Sequence, residues 1–244
     1  MLLPKAILFD LDDTIVSYSK VSKLAWDKVC SDFADKEKLF DAKTLTDAIK
    51  EAAKWYWSDP ERHREGRLRL NDTRRDIVRL ALKKLDCCEE EYSICIADNY
   101  SELHQDMIHM FDGAEETLTE LTQRGIKLAL LTNGNAEKQR YKINRFDLDK
   151  FFDTCLVEGE IGFGKPDIRV FQMALERLEV NPEQAWMVGD NLQWDIAAPQ
   201  KLGIFSIWND HAGKGLPEDS EIIPDRIISN ISELRCQSPK LLSY

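Results

Sequence analysis

The chain has 244 residues, 43% hydrophobic and 32% charged, enough to bury a sizeable core in one large domain or two modest ones. A formal net charge of −11 argues against a non-specific nucleic-acid binder, which needs a basic face to neutralise phosphates. No apolar run reaches the roughly 20 residues that cross a bilayer. Met1-Leu-Leu-Pro-Lys5 also lacks the apolar core of a signal peptide, so a cytoplasmic protein with no membrane partner is expected.

Ala6-Ile7-Leu8-Phe9 is too short an apolar run for a helix and reads as a buried strand of a parallel sheet. It runs into Asp10, Asp12, Asp13 and Thr14. Alternation along extended backbone predicts Asp10 and Asp12 on one side and Asp13 on the other. Two carboxylates at the end of a buried strand repel each other and call for a cation or a raised pKa. The plainer alternative is an Asp-rich turn with Thr14 as a helix N-cap. From about Ser19 to Met110 the pattern is helical. Val21, Leu24, Ala25, Val29 and Phe33 recur at three- and four-residue intervals. Further helices are expected over Thr46–Trp57, over Thr73–Leu85 and from Glu89 to about Met107, with a Pro-containing loop after Trp57.

After Phe111 helices and strands alternate, as in an α/β domain. Helices are expected over Ala114–Gln123, Ala136–Phe146, Asp167–Leu178 and Asp195–Leu202. Strands are expected over Leu128–Leu131, Phe152–Val157, Ala185–Val188, Ile204–Trp208 and Arg226–Ile228. Pro239–Tyr244 reads as a loose end. The six cysteines contain no CxxC pair and are read as reduced thiols. The first strand and the section after Phe111 together predict a doubly wound, mainly parallel, Rossmann-like sheet. The catalytic core would be residues 1–16 plus 112–244, with an inserted all-α domain at 17–111.

Ligands of open α/β sheets bind beyond the carboxyl ends of the strands, and three further strand ends are polar. Thr132-Asn133-Gly134 supplies a hydroxyl and turn N–H groups suited to phosphate oxygens, although it is also an ordinary turn. Lys165, between Gly164 and Pro166, is a loop lysine held close to a helix start. Gly189-Asp190-Asn191, with Asp195 beyond, repeats the strand-then-aspartate arrangement of Asp10; Asn191 or Asp195 would serve equally as an N-cap.

In this order, Asp10-x-Asp12-x-Thr14, Thr132, Lys165 and Gly189-Asp190 with Asp195 resemble the four signature motifs of the haloacid dehalogenase (HAD) superfamily, and the helical insertion resembles its C1-type cap. The resemblance implies a Mg²⁺-dependent phosphatase acting on a small phosphorylated metabolite. Asp10 would be the nucleophile, forming an aspartyl-phosphate, and Asp12 the general acid and then base. Thr132 and Lys165 would grip phosphoryl oxygens, with Thr14, Asn133 and Gly134 on the substrate side. Asp10, the backbone carbonyl of Asp12, and Asp190 would hold Mg²⁺. Asp195 would orient Lys165 or a metal-bound water, with Asn191 beside it. Retention of Asp12 and Asp190 favours phosphate-ester hydrolysis over the dehalogenase branch. A phosphomutase or a low-turnover regulatory module remains an alternative.

Specificity would lie in the insertion. Trp57, Arg62, His63 and Arg64 are candidates to close over the leaving group, with aromatics stacking on a flat moiety. The alternative is that the tryptophans pack the insertion's own core while the arginines pair with Glu51, Glu61 and Glu65. A monomer or a homodimer is compatible with the sequence.

Overall fold

The structure, a computed structural model, describes residues 3–235; Cys236 and the expected loose end at Pro239–Tyr244 lie outside them. In chain order, β1 (Ala6–Phe9) precedes five helices: α1 (Ser19–Glu37), α2 (Ala42–Trp57), α3 (Pro60–Leu68), α4 (Leu70–Lys84) and α5 (Glu90–Met107). Then follow α6 (Ala114–Gln123), β2 (Lys127–Thr132), α7 (Ala136–Arg145), β3 (Thr154–Val157), the single turn α8 (Glu158–Ile161) and α9 (Ile168–Leu178). The last elements are β4 (Ala185–Gly189), a π-helical turn at Leu192–Ala197, β5 (Phe205–Asn209) and β6 (Arg226–Ile228). The chain forms two compact units, one running to Ser17 and resuming at His109, the other Tyr18–Ile108.

The first unit is built on a six-stranded, all-parallel sheet in the order β3-β2-β1-β4-β5-β6. Helices cover such sheets, so their strands read as continuous apolar runs, as β1 and β4 do. Alternate residues still separate by face. Ala6 and Leu8 of β1, Ala129 and Leu131 of β2, and Ala185 and Met187 of β4 share one core with Val170, Phe171, Ala174 and Leu178 of α9. Phe9, the last residue of β1, registers with Leu130 on one side and Val188 on the other. Asp10 therefore leaves the sheet between the chain segments that end in Thr132 and Asp190.

The second unit is all-helical among the described residues and has its own core. Ala25, Val29 and Phe33 of α1 meet Leu45, Ile49 and Ala52 of α2, Ile77 and Val78 of α4, and Ile96 and Ala97 of α5. The expected loop after Trp57 is largely helix α3. Asp59 takes the N-cap, its Oδ1 accepting from the N–H groups of Glu61 (3.1 Å) and Arg62 (2.8 Å), and Pro60 occupies the first turn, where its missing N–H costs nothing. α2 likewise starts four residues before the expected Thr46, capped by Asp41. The predicted helix over Asp195–Leu202 is instead the π-helical turn followed by a three-residue helix.

Candidate active site

Two loops at the carboxyl edge of the sheet are fastened to each other before any side chain reaches the site. Asn133, just past β2, donates from Nδ2 to the Lys165 carbonyl (2.6 Å) and accepts at Oδ1 from the Lys165 N–H (2.8 Å). Gly164 makes this possible, because a Cβ there would collide with the Asn133 side chain. The anchored Lys165 is 2% exposed, and its Nζ donates to Asp10 Oδ1 (2.6 Å) and to Asp195 Oδ1 (2.7 Å). Asp195 is equally buried, and its other oxygen accepts the Asn191 N–H (3.0 Å). It packs so closely against Gly189 that a Cβ there would fall on the carboxylate.

Asp190 completes this group. Carboxylate oxygens of Asp10, Asp190 and Asp195 lie within 4.8 Å of one another. Three acidic groups thus face one ammonium, and the charges do not balance. Burial pushes Asp10 up to about 7 against the pull of Lys165. Burial, then the charges of Asp10, Asp195 and Asp13, pushes Asp190 up to about 9. Burial alone would lower the Lys165 pKa, but its two carboxylate partners override that and the net direction is upward.

Asp13 lies past the strand, in the turn that follows it. The β1 ladder ends at Phe9, and Asp13 adopts a left-handed φ of 59°, so strand alternation does not govern where it points. Its carbonyl accepts from Asn209 Nδ2 (3.0 Å), and its carboxylate joins Asp190 and His211 in a second group within 4.8 Å. Neither Asp13 nor His211 was assigned a role from sequence. His211 follows β5 and has no motif around it.

Asp12 is held by a helix that carried no signal. Lys142 Nζ donates to both carboxylate oxygens at 2.6 Å, and Gln139 Nε2 donates to Oδ2 at 3.1 Å and to the Thr132 hydroxyl. Lys142 and Gln139 lie on one face of α7, and each is 4% exposed. Within Ala136–Arg145, rich in polar and charged residues, nothing distinguishes these two from solvated neighbours.

Several expected substrate contacts have other partners. The Gly134 N–H is not free, because it donates to Glu158 Oε2 (2.8 Å). The Asn133 amide is spent on Lys165, so Asn133 positions that lysine. Thr14 is buried, its hydroxyl 3.4 Å from Asp10 Oδ2. The Asn191 side chain caps the following turn, accepting from Gln193 and Trp194. Trp57, Arg62, His63 and Arg64 belong to the helical unit. Trp57 packs against that unit's core, with its ring edge-on to Tyr56 and His63. Arg62 lies 4.1 Å over the Trp55 ring and donates to the Trp55 and Tyr56 carbonyls, while Arg64 is exposed. The proposed pairing with Glu51 fails: Glu51 meets Lys84 at 2.8 Å.

The cluster suits a divalent cation on its own chemistry. Its donors are carboxylate oxygens, the preference of a hard ion, and three of them gather around the single ammonium of Lys165. Among the described residues, no helix is long and apolar enough to cross a membrane.

The family model of haloacid dehalogenase-like hydrolases matches residues 4–203. The chain belongs to this family. One relative of this HAD-like hydrolase is a phosphoserine phosphatase of Thermus thermophilus, 43% identical over 126 residues, 51% of this chain. That match spans about half (49%) of the Thermus protein. A glyceraldehyde 3-phosphate phosphatase of Pyrococcus furiosus is 29% identical over 84% of this chain and 80% of its own. The structure of a magnesium-bound HAD hydrolase of Bacillus subtilis superposes with a TM-score of 0.73 at 24% identity, covering 96% of this chain and 97% of that one, which establishes a shared fold.

Proposed function

We propose that this HAD-like hydrolase is a Mg²⁺-dependent phosphatase that cleaves the monoester of a small metabolite through an aspartyl-phosphate on Asp10. The observation that carries the reading is the buried contact of Asp10 with Lys165, itself held by Asp195, beside the raised carboxyl of Asp190. Asp10 attacks phosphorus as the ester P–O bond breaks, and the departing oxygen takes a proton from Asp12. Water then attacks the phosphorus, its proton passes to Asp12, and the Asp10–phosphorus bond breaks. Thr132 accepts a hydrogen bond from Gln139 and keeps its own proton to donate to a phosphoryl oxygen. Lys165 places positive charge where that group becomes most negative. Asp10, Asp190 and the main-chain carbonyl of Asp12 are the groups that would hold Mg²⁺, whose charge offsets repulsion between a carboxylate and a phosphate dianion.

Retention of Asp12 supports ester hydrolysis over carbon–halogen cleavage, which needs no acid for an alcohol leaving group. Release of phosphate from p-nitrophenyl phosphate, with and without Mg²⁺, tests the reading. Turnover should require the ion and vanish in Asp10→Asn. Activity equal in the variant would remove Asp10 from the chemistry. Phosphoserine and glyceraldehyde 3-phosphate, the substrates in the relatives' names, head the list of physiological esters to screen.

A further inference from the structure

Resting on the phosphatase reading, we infer that Lys142 is the positioning residue that aims Asp12 at the leaving-group oxygen. The ammonium bonds both Asp12 oxygens at 2.6 Å, which fixes the plane of the carboxylate as well as its place. Gln139, one helical turn back, ties the same carboxylate to the Thr132 hydroxyl, so the proton-transfer group and a phosphoryl-gripping group share one brace on α7. Burying a lysine to 4% exposure costs desolvation and about 2 kcal/mol of side-chain entropy. Buried ion pairs contribute little net stability against apolar replacements, so stability alone does not account for this one. Proton transfer does: an acid must lie within hydrogen-bond reach of the oxygen it protonates, and misplacement by about 1 Å costs about 10²-fold. Lys142 touches no reacting atom and acts through Asp12.

The two chemical steps separate this role from general damage. kcat/KM reports events up to transfer of the phosphoryl group to Asp10, and that transfer needs an acid only when the leaving group is a poor one. Wild type and Lys142→Met are compared on 2,4-dinitrophenyl phosphate, whose leaving group departs unprotonated, and on the alkyl phosphate the wild type hydrolyses fastest. The expected result is a loss of about 10²-fold in kcat/KM on the alkyl ester and a change of less than about threefold on the dinitrophenyl ester. Lys142→Arg, which keeps the charge and two donors, should restore at least about tenfold of that loss. Circular dichroism and thermal melts check folding, and if Lys142→Met does not fold, Lys142→Gln takes its place in the same comparison. Equal losses on both esters, or none on either, overturn the inference while leaving a phosphatase. Hydrolysis of neither ester by the wild type overturns the phosphatase reading, and this inference with it.

Discussion

Asp10 and Asp190 should make divalent-ion binding a proton-releasing event. Burial, with neighbouring carboxylates behind it, holds Asp10 up to about 7 and Asp190 up to about 9. The pair therefore keeps about two protons at pH 6 and about one at pH 8. An ion that takes both groups as anions displaces those protons. Affinity should rise by nearly two decades per pH unit below about pH 7, by about one between 7 and 9, and level off above. Folding responds to the same groups. In ion-free protein each raised carboxyl binds its proton more tightly than the unfolded chain does. Its stabilising contribution is full below about pH 4 and is lost as pH climbs through 7 and 9. For Asp10 alone, the climb from 3.8 to about 7 corresponds to about 4 kcal/mol. Mg²⁺ at a hundred times its Kd returns about 2.7 kcal/mol. For a chain of this size that is about 5–10 °C in Tm. Titration calorimetry in two buffers of different ionisation enthalpy counts the protons, and melts with and without Mg²⁺ follow the stability. Zero proton release at both pH 6 and pH 8 would refute the reasoning.

Lys165→Met should lower stability by about 3–5 kcal/mol, read by denaturant titration, because it leaves the Asp10 and Asp195 carboxylates buried without their shared cation. A loss below about 1 kcal/mol would mean that those carboxylates relax to solvent. Gly189→Ala should cost about 1–3 kcal/mol and reduce kcat, since the new methyl group displaces Asp195 and, through it, Lys165. An alanine variant with wild-type melting and turnover would show that Asp195 has room to move.

The sheet was readable because a parallel strand buried on both faces leaves an unmistakable apolar run, and each such run here ends at a polar residue. The pattern placed Asp10, Lys165 and Asp195 in one list, and the structure brings them within hydrogen-bond distance. What the pattern could not supply were contacts made by side chains from unrelated elements. Lys142 and Gln139 look like any surface pair of a polar helix until α7 is laid beside the Asp12 loop. The period-two rule gives no guide at Asp13, which lies past the strand in a left-handed conformation. The Gly134 N–H looks like a free donor in the sequence because nothing there links it to Glu158, 24 positions away, which accepts it. The helix start at Asp59-Pro60 is legible in the sequence, since an Asp-Pro pair is as much an N-cap signal as a loop signal.

The central seat of β1 also constrains the order in which the molecule can assemble. Both of its edges pair with strands made much later, Lys127–Thr132 and Ala185–Gly189. As the polypeptide emerges from a ribosome, Ala6–Phe9 precedes both partners, and its two rows of main-chain groups stay open until they arrive. The contacts among α1, α2, α4 and α5 are available in the meantime. A chain arrested before Ala185 would therefore leave one flank of β1 bare, a template for pairing with other chains. Nascent molecules of this enzyme should depend on chaperones most during that interval.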